Sequence, residues 1–253
     1  MAQLKNKNII ITGASRGLGS KAALAFSEAG AKLVLIARTK ENLEAVRKRC
    51  KNPNKHLSIS ADLTEAKEIV SAIEQAKKFL STIDCVLHVA GGGLGKRDPL
   101  IELQDLLLLF KLNVGAAVQI NRLVLPDMMK RKQGNLVHIG SIAGKEAVAS
   151  VGYNTAKSAL NMYVRSLGRE MAPYGIVVTG VNPGGFIAPG NSMVKLEKNK
   201  PDAYNKFIEQ RLPRKKMGDA SEIIPLLKFL CSKEASMMCG CMVPIDGGEG
   251  ITP

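Results

Sequence analysis

A regular alternation of short apolar runs with longer amphipathic stretches constrains the fold more than any other feature of this sequence. The apolar runs have the length of buried strands, and the stretches between them have the length and periodicity of helices. Such alternation predicts an α/β protein with a parallel sheet, helices on both faces and right-handed crossovers. The predicted strands are 8–12, 32–37, 57–60, 85–90, 135–140, 177–181 and 242–245, and the predicted helices are 17–30, 40–51, 64–80, 101–131, 151–173 and 219–232.

The chain of 253 residues has no linker-like stretch, composition shift or internal repeat, so a single domain over residues 1–253 is predicted. The alternation of strand-like and helix-like stretches is interrupted only by the segment 184–217. This segment is rich in glycine and proline and contains two helix-like fragments, the second of which ends at Arg211. A connection of this length in a compact domain is usually functional, and it is predicted to be a lid over a substrate. The alternative is a surface excursion without a role.

The formal net charge of +14 indicates either a solvated basic surface or attraction of an anionic partner. Basic clusters occur at 47–51, 130–132 and 211–216, and none is interleaved with aromatic residues. A platform for single-stranded nucleic acid needs such aromatics. A solvated surface is therefore favoured first and a phosphate-bearing substrate or carrier second, and no nucleic-acid partner is expected.

The cysteine and histidine content points to a reducing compartment and to no metal site. The five cysteines include no CxxC pair, and the three histidines are scattered through strand-like runs. The N-terminal residues do not resemble a signal peptide, and no apolar run is expected to be long enough for a bilayer span. These observations predict a cytoplasmic protein with no membrane partner.

A glycine-rich turn follows the first predicted strand and opens the first predicted helix. Its spacing is Gly-x-x-x-Gly-x-Gly, and it predicts a site for the pyrophosphate of a dinucleotide at a helix N-terminus. Glycine is needed because the backbone must turn sharply and approach the ligand closely. The loop runs Thr12, Gly13, Ala14, Ser15, Arg16, Gly17, Leu18 and Gly19.

The end of the second strand favours NADP(H) over NAD(H). An NAD site has a carboxylate there to accept the ribose hydroxyls, whereas this chain has Ala37 followed by Arg38. A guanidinium attracts a 2′-phosphate, and Arg16 offers a second cation. After the third strand, Asp62 and Leu63 are placed to meet the adenine; after the fourth, Ala90 and Gly91 are small enough for the adenosine ribose.

Four polar residues form the predicted catalytic set. Tyr153 and Lys157 lie on one helix face because they are four residues apart. The cation, with an oxidised nicotinamide, is expected to lower the pKa of the phenol towards neutrality. Ser141 ends the fifth strand and can hydrogen-bond the reacting oxygen, and Asn113 can hold a water that relays protons to Lys157.

Taken together, these motifs resemble those of the short-chain dehydrogenase/reductase family over nearly the whole chain. The resemblance implies a single Rossmann-type, doubly wound sheet of about seven strands, pro-S hydride transfer, and often a homotetramer or dimer. It also implies that Tyr153 is the acid in reduction, and that the turn after the sixth strand holds the nicotinamide. Residues assigned to that turn are Pro183, Gly184, Phe186 and Ile187; the family's Asn182-Pro183-Gly184 and Asp246-Gly247-Gly248 are both present.

Two positions depart from the family pattern. The usual Asn-Asn-Ala-Gly is His88-Val89-Ala90-Gly91 here, which is expected to affect stability more than chemistry. The threonine that usually grips the carboxamide after Pro-Gly is missing, because the chain continues Gly185-Phe186-Ile187-Ala188-Pro189-Gly190. Backbone groups are therefore expected to hold the nicotinamide.

The substrate is left open between a small molecule and a carrier-bound keto or hydroxy compound, either of them anionic. In general appearance the chain resembles the 3-oxoacyl-[acyl-carrier-protein] reductases, whose two basic carrier-binding residues near the site entrance correspond to Lys132 and Tyr174 here. The alternative substrate is a phosphorylated or nucleotide-linked keto-sugar. The alternative to an enzyme is a regulatory protein that senses the cofactor. The segment 184–217 supplies cations for an anion at Lys195, Lys198, Lys200, Arg211, Arg214, Lys215 and Lys216.

Overall fold

The computed structural model describes residues 4–252. In this part of the chain the strands are β1 Asn8–Thr12, β2 Lys32–Ala37, β3 Leu57–Ser60, β4 Cys85–His88, β5 Gly134–Ile139, β6 Ile176–Pro183, β7 Phe186–Ile187, β8 Gly218–Asp219 and β9 Met242–Ile245. Among these residues, seven parallel strands form the main sheet in the order β3-β2-β1-β4-β5-β6-β9. The predicted doubly wound sheet is confirmed, and its direction of winding reverses between β1 and β4, where such sheets bind ligands.

Helices cover both faces of the main sheet because neighbouring strand residues point to opposite sides. The helices in the described residues are α1 Gly17–Glu28, α2 Lys40–Arg49, α3 Ala66–Leu80, α4 Leu103–Phe110, α5 Ala116–Arg131, α6 Val151–Met171, α7 Ser192–Asn199, α8 Pro201–Arg211 and α9 Ala220–Leu230. Ile9 and Ile11 pack into the cluster that contains α1 and α9, whereas Ile10 packs into the cluster of α3, α5 and α6.

The helix predicted over 101–131 is interrupted. A π-turn at Lys111–Gly115 separates α4 from α5 and contains the buried Asn113. Such π-turns are rare and often occur at functional sites. By length and composition alone, the continuous helical stretch Leu103–Arg131 could cross a membrane, because it has 29 residues and contains an 18-residue window with a mean hydropathy of 1.3. This contradicts the expectation that no apolar run is long enough, although the core helix of a soluble protein passes the same test.

The segment 184–217 contains the two helical fragments that the sequence predicts, α7 and α8. Its ends are joined by a short two-stranded sheet that was not predicted, in which Phe186 pairs with Gly218 and Ile187 with Asp219. The segment therefore leaves and rejoins the body of the protein at one place. That place lies just beyond the carboxyl end of β6.

Candidate functional site

The predicted site residues meet at the carboxyl edge of the main sheet. The glycine loop follows β1, Gly91 and Gly92 follow β4, Ser141 follows β5, and Pro183 ends β6. Parallel strands present all their carboxyl ends at one edge, so residues from distant parts of the sequence become neighbours there. This edge includes the switch point between β1 and β4.

The glycine loop has the close backbone packing that a pyrophosphate site requires. Gly13 has φ +64°, and a Cβ on it would lie 2.8 Å from the Ala90 nitrogen. A side chain on Gly19 would collide with the Gly13 carbonyl. Gly17 has φ +61°, but a Cβ there would meet no atom within 4 Å, so this side of the loop is open. The loop and the open space at the start of α1 fit a phosphate-bearing ligand.

The threonine before the loop joins β1 to β4, a role that the sequence analysis did not identify. Its buried hydroxyl accepts hydrogen bonds from the Val89 and Ala90 amides, both at 3.1 Å. Thr12 thereby turns the chain out of β4, which ends at His88 rather than at the predicted Ala90. No local sequence pattern predicts this contact, because 77 positions separate Thr12 from Val89.

Part of the segment 184–217 lies directly over the glycine loop. The Gly17 amide donates to the Pro189 carbonyl at 2.9 Å, and Arg16 Nη1 donates to the Gly190 carbonyl at 3.0 Å. Ser15 is half-buried and the Leu18 side chain lies in the core, so Leu18 can offer only its main chain to a ligand.

At the end of β2, the structure brings Arg38 and Asp62 together. Arg38 Nη1 lies 3.8 Å from Asp62 Oδ2, and the Arg38 side chain is 64% exposed, which leaves its guanidinium accessible to an anion. Partial burial opposes ionisation of Asp62, but two hydrogen bonds from Thr64 and the charge of Arg38 lower its pKa. Leu63 is buried, and Ala37 ends β2 without a carboxylate.

The Ser141 hydroxyl acts on the Tyr153 phenol in the direction that lowers the pKa of the phenol. The Ser141 hydroxyl also accepts from the Ala143 amide at 3.1 Å, and the Ser141 amide donates to Asn182 Oδ1 at 3.0 Å. Burial raises the pKa of Tyr153 to about 12, and the Ser141 hydroxyl opposes this only in part. The phenol is therefore protonated at neutral pH in this geometry.

Lys157 is buried against the sheet beside Tyr153. Its Nζ donates to the Ile139 carbonyl at 2.7 Å and lies 5.6 Å from the centroid of the Tyr153 ring. Burial lowers the pKa of Lys157 to about 8. Burial is thus the largest influence on the pKa of Tyr153 here, and the Lys157 ammonium is directed at the Ile139 carbonyl. The lowering of the tyrosine pKa by Lys157 together with an oxidised nicotinamide stays a prediction.

Asn113 is held in place by the chain that leaves β4. Its Oδ1 accepts from the Gly92 amide at 2.9 Å, and its Nδ2 donates to the carbonyls of Gly92 and Leu109. A Cβ on Gly91 would lie 2.8 Å from Asn113 Oδ1 and 3.3 Å from Lys157 Nζ. The structure thus places three of the predicted residues together, with a small cavity lined by Asn113, His88 and His138 beside them.

The turn after β6 carries the remaining predicted cofactor residues. Pro183 is buried at the end of β6, and the Gly184 amide donates to the Ile245 carbonyl at 3.3 Å. Phe186 and Ile187 are half-buried in β7. These residues lie on the same edge as Ser141, to which they are linked through Asn182.

His88, the first departure from the family pattern, belongs to a buried polar network beneath the site. Its ring stacks on His138 with centroids 4.5 Å apart, and its Nε2 hydrogen-bonds Asn121 Oδ1 at 2.8 Å. Asn121 also donates to the Tyr163 hydroxyl at 3.0 Å. Burial lowers the pKa of His88 well below its usual value and that of His138 to about 4, so both rings are neutral.

Several predicted anion-binding cations are already engaged inside the protein. Arg211 Nη2 lies 3.3 Å from Glu249 Oε1, Arg214 Nη2 lies 2.7 Å from Glu222 Oε1, and Lys215 donates to a backbone carbonyl. Arg214 and Lys215 are still exposed, and so are Lys195, Lys198, Lys200 and Lys216 of the predicted set and Lys206 beside them.

Lys132 and Tyr174 do not line the site entrance within one copy of the chain. A Cβ on Gly175, next to Tyr174, would lie 2.6 Å from the Lys132 carbonyl, so the two predicted carrier-binding residues are close to each other. Both precede their strands, however, and lie at the amino edge of the sheet. The length of β5, about 20 Å for a strand of this size, separates Lys132 from Ser141. Within residues 4–252, no group of three or more His, Cys, Asp or Glu side chains is placed to hold a metal ion.

Comparison with known proteins gives consistent matches over the whole chain. The family model described as short chain dehydrogenase matches residues 7–199. A 2-dehydro-3-deoxy-D-gluconate 5-dehydrogenase of Formosa agariphila is 27% identical, with 97% of this chain and 93% of that protein aligned. A 3-oxoacyl-[acyl-carrier-protein] reductase of Aquifex aeolicus is 28% identical, with 97% of this chain and 98% of that protein aligned. Among solved structures, levodione reductase superposes with a TM-score of 0.92 at 28% identity, covering 99% of this chain and 100% of that one.

Proposed function

Because the chain belongs to the short chain dehydrogenase family and is therefore an oxidoreductase, we propose that it interconverts a ketone and a secondary alcohol with NADP(H), using Tyr153 as general acid and base. The observation that carries this proposal is the meeting of Ser141, Tyr153, Lys157 and Asn113 at the sheet edge that also holds the glycine loop. Residues from four separate stretches of the chain converge there, with a cation buried beside the phenol.

In reduction, Tyr153 donates its proton to the carbonyl oxygen of the substrate. Its raised pKa keeps the phenol protonated at neutral pH, as an acid requires. Ser141 holds the same oxygen by a hydrogen bond, and its own position is set by Ala143 and Asn182. In oxidation the roles reverse, and the phenolate has to be stabilised by nearby positive charge.

Lys157 stabilises the phenolate that remains after proton transfer. The ammonium lies beside the ring, and the pKa of about 8 leaves it charged for the most part at pH 7. Asn113 and the adjoining small cavity offer a place for a water that returns a proton to Lys157. Lys157 passes one of its protons to the Tyr153 phenolate, the water restores that proton to Lys157, and the water is resupplied from solvent.

The nicotinamide cofactor, when bound, supplies the hydride in reduction and accepts it in oxidation. The glycine loop, from Gly13 to Gly19, would hold its pyrophosphate, with the Gly17 amide exchanging the Pro189 carbonyl for a phosphate oxygen. Asp62, Leu63, Ala90 and Gly91 hold the adenosine end. Pro183, Gly184, Phe186 and Ile187 hold the nicotinamide, and Lys157 and Tyr153 meet its ribose.

NADP(H) is proposed over NAD(H) from the end of β2. The buried Ala37 offers no carboxylate to the ribose hydroxyls, and the exposed Arg38 offers a guanidinium to a 2′-phosphate. Arg16 supplies a second cation if its hydrogen bond to Gly190 is exchanged for one to the phosphate.

A 3-oxoacyl thioester is the first candidate substrate, supported by the relative of that activity from Aquifex aeolicus. An anionic keto-sugar derivative is the second, because six lysines of the segment 184–217 are exposed and another relative is named for a keto-sugar acid. In either case we propose that this segment acts as a lid over the substrate.

The deciding experiment assays wild type in both directions: reduction of an acetoacetyl thioester with NADPH or NADH, and oxidation of 2-dehydro-3-deoxy-gluconate with NADP+ or NAD+. Tyr153→Phe serves as the enzyme-dependence control. Turnover of the thioester with NADPH, lost in Tyr153→Phe, is the expected result. Turnover of the sugar acid alone favours the second candidate. Cofactor binding without turnover on a wider ketone panel would instead favour the cofactor-sensing reading.

We also propose a homo-oligomer built through α4 and α5 in a reducing compartment. Leu100, Leu103 and Leu107 are 86%, 70% and 52% exposed, an apolar surface that a second copy would cover. All five cysteines are free thiols. Sedimentation of the purified protein should give a dimer or tetramer without detergent; a requirement for detergent would contradict this assignment.

A further inference from the structure

The last residues of the chain fold back onto the nicotinamide end of the site. After β9, the segment 246–252 runs past the turn that follows β6, and its one fully enclosed charged side chain is Glu249, which is 3% exposed. Burial of a carboxylate is costly unless hydrogen bonds and an opposite charge compensate it. Both kinds of compensation are present here.

One carboxylate oxygen of Glu249 fixes the backbone of the turn. Glu249 Oε2 accepts a hydrogen bond from the Gly185 amide at 2.5 Å. The neighbouring glycine is packed so closely that a Cβ on Gly184 would lie 2.7 Å from the same oxygen. The path of the chain from Gly184 to Ile187 therefore depends on this carboxylate.

The other oxygen of Glu249 fixes the segment 184–217. Glu249 Oε1 pairs with Arg211 at the C-terminal end of α8, and Arg211 lies 5.7 Å from the centroid of the Phe207 ring on the same helix. A Cβ on Gly185 would in turn lie 2.9 Å from that ring. The turn is thus enclosed between Glu249 on one side and α8 on the other.

This arrangement occurs where the family's usual threonine is absent and backbone groups have to hold the carboxamide. We infer that Glu249 is a positioning residue: it sets the Gly184–Ile187 backbone for the nicotinamide end of the cofactor and fastens the segment 184–217 in the same contact. The inference rests on the proposed function, since it requires that a nicotinamide cofactor bind at this turn. Glu249 itself touches neither reacting atom in this scheme.

Two substitutions of Glu249 test its contact with the Gly185 amide and its contact with Arg211 separately. Glu249→Met removes both, and the dissociation constant for NADPH, measured by nicotinamide fluorescence, should rise about tenfold because the Gly185 amide loses a charged acceptor. Glu249→Gln keeps an oxygen for Gly185 but loses the charge that holds Arg211. It should keep the NADPH dissociation constant within about threefold while raising the KM for the ketone more than it lowers kcat.

Glu222→Gln is the matched control. It removes the charge of the other ion pair of this segment, with Arg214, and glutamine can still cap the N-terminus of α9. NADPH binding and KM should stay at the wild-type values. If Glu249→Met does not fold, as judged by its unfolding midpoint, Glu249→Asp takes its place, because it keeps the charge and withdraws it by one methylene.

A folded Glu249→Met that binds NADPH as wild type does would overturn the inference. So would an equal rise in KM for Glu249→Gln and Glu222→Gln. Failure of wild type itself to bind NADPH or NADH is a different result, because it would overturn the proposed function on which the inference rests.

Discussion

The glycine-loop end and the nicotinamide end of the site are built in different ways. At the glycine-loop end, contiguous residues from Thr12 to Gly19 provide most of the surface, and the backbone makes the contacts. At the nicotinamide end, Ser141, Tyr153 and Glu249 come from separate stretches and act through side chains, of which the first two are half-buried and the third is buried. The first end tolerates little added volume, whereas the second tolerates little change in charge or hydrogen bonding.

The largest expected effect belongs to the nicotinamide end. Tyr153→Phe removes the proton donor and keeps the ring, so kcat should fall by about a thousandfold or more while the dissociation constant for NADPH changes little. Steady-state kinetics and nicotinamide fluorescence measure the two quantities. A matching loss of NADPH binding would mean that the hydroxyl holds the cofactor more than it serves the chemistry.

Two glycine variants test the other end. Gly13→Ala imposes a left-handed conformation on alanine and drives its Cβ against the Ala90 backbone, so the free energy of unfolding should fall by about 3 kcal/mol. Gly17→Ala has the same backbone strain but open space, so the loss should be about 1 kcal/mol. Urea denaturation gives both values.

The affinity for NADPH, measured by titration, gives a second comparison of the two glycine variants. The alanine at position 17 projects into the open side of the loop, so Gly17→Ala should bind NADPH more weakly although it stays folded. Equal destabilisation by the two variants would show that packing against Ala90 does not matter, and would weaken the contrast between the two ends.

The buried histidines beneath the nicotinamide end should make the protein acid-sensitive. Their pKa values are lowered in the folded protein, so the unfolded chain binds more protons as the pH falls below about 6.5, and stability is lost. With a folded pKa of about 4, His138 alone should lower the free energy of unfolding by about 2 kcal/mol between pH 7 and pH 5.

His56 acts in the same direction, because burial lowers its pKa as well. His88→Asn, which restores the family's usual residue, should flatten this slope whatever it does to stability at pH 7. Denaturant unfolding at several pH values measures it. If the slope of the free energy of unfolding against pH is unchanged, the His88–His138 stack does not cause the acid sensitivity.

The smallest expected effect concerns cofactor choice. Arg38→Ala removes an exposed cation and should lower the preference for NADPH over NADH by about tenfold. Arg38 also pairs with Asp62 at 3.8 Å, but an exposed pair of this kind contributes little to stability. A change in the unfolding midpoint with an unchanged cofactor ratio would contradict the assignment.

The strands and helices could be predicted closely because their periodicity is a local property of the chain. β1, β2, β3 and β9 have the predicted limits, and most helices end within two residues of theirs. The π-turn within 101–131 was missed, since all its residues are compatible with a regular helix. Only the packing of Asn113 against Gly92 distinguishes this turn from its neighbours.

The sequence by itself determined the doubly wound sheet, the glycine loop and the candidate catalytic residues. These depend on periodicity, on glycine's conformational freedom and on spacing along one helix, all of which are local. Only the tertiary structure decided that Arg211 and Arg214 are paired internally, that Lys132 lies at the far edge of the sheet, and that Glu249 supports Gly185. The reason is physical: the partner of a charge is set by where the chain returns, and Glu249 meets Gly185 across 64 positions of sequence.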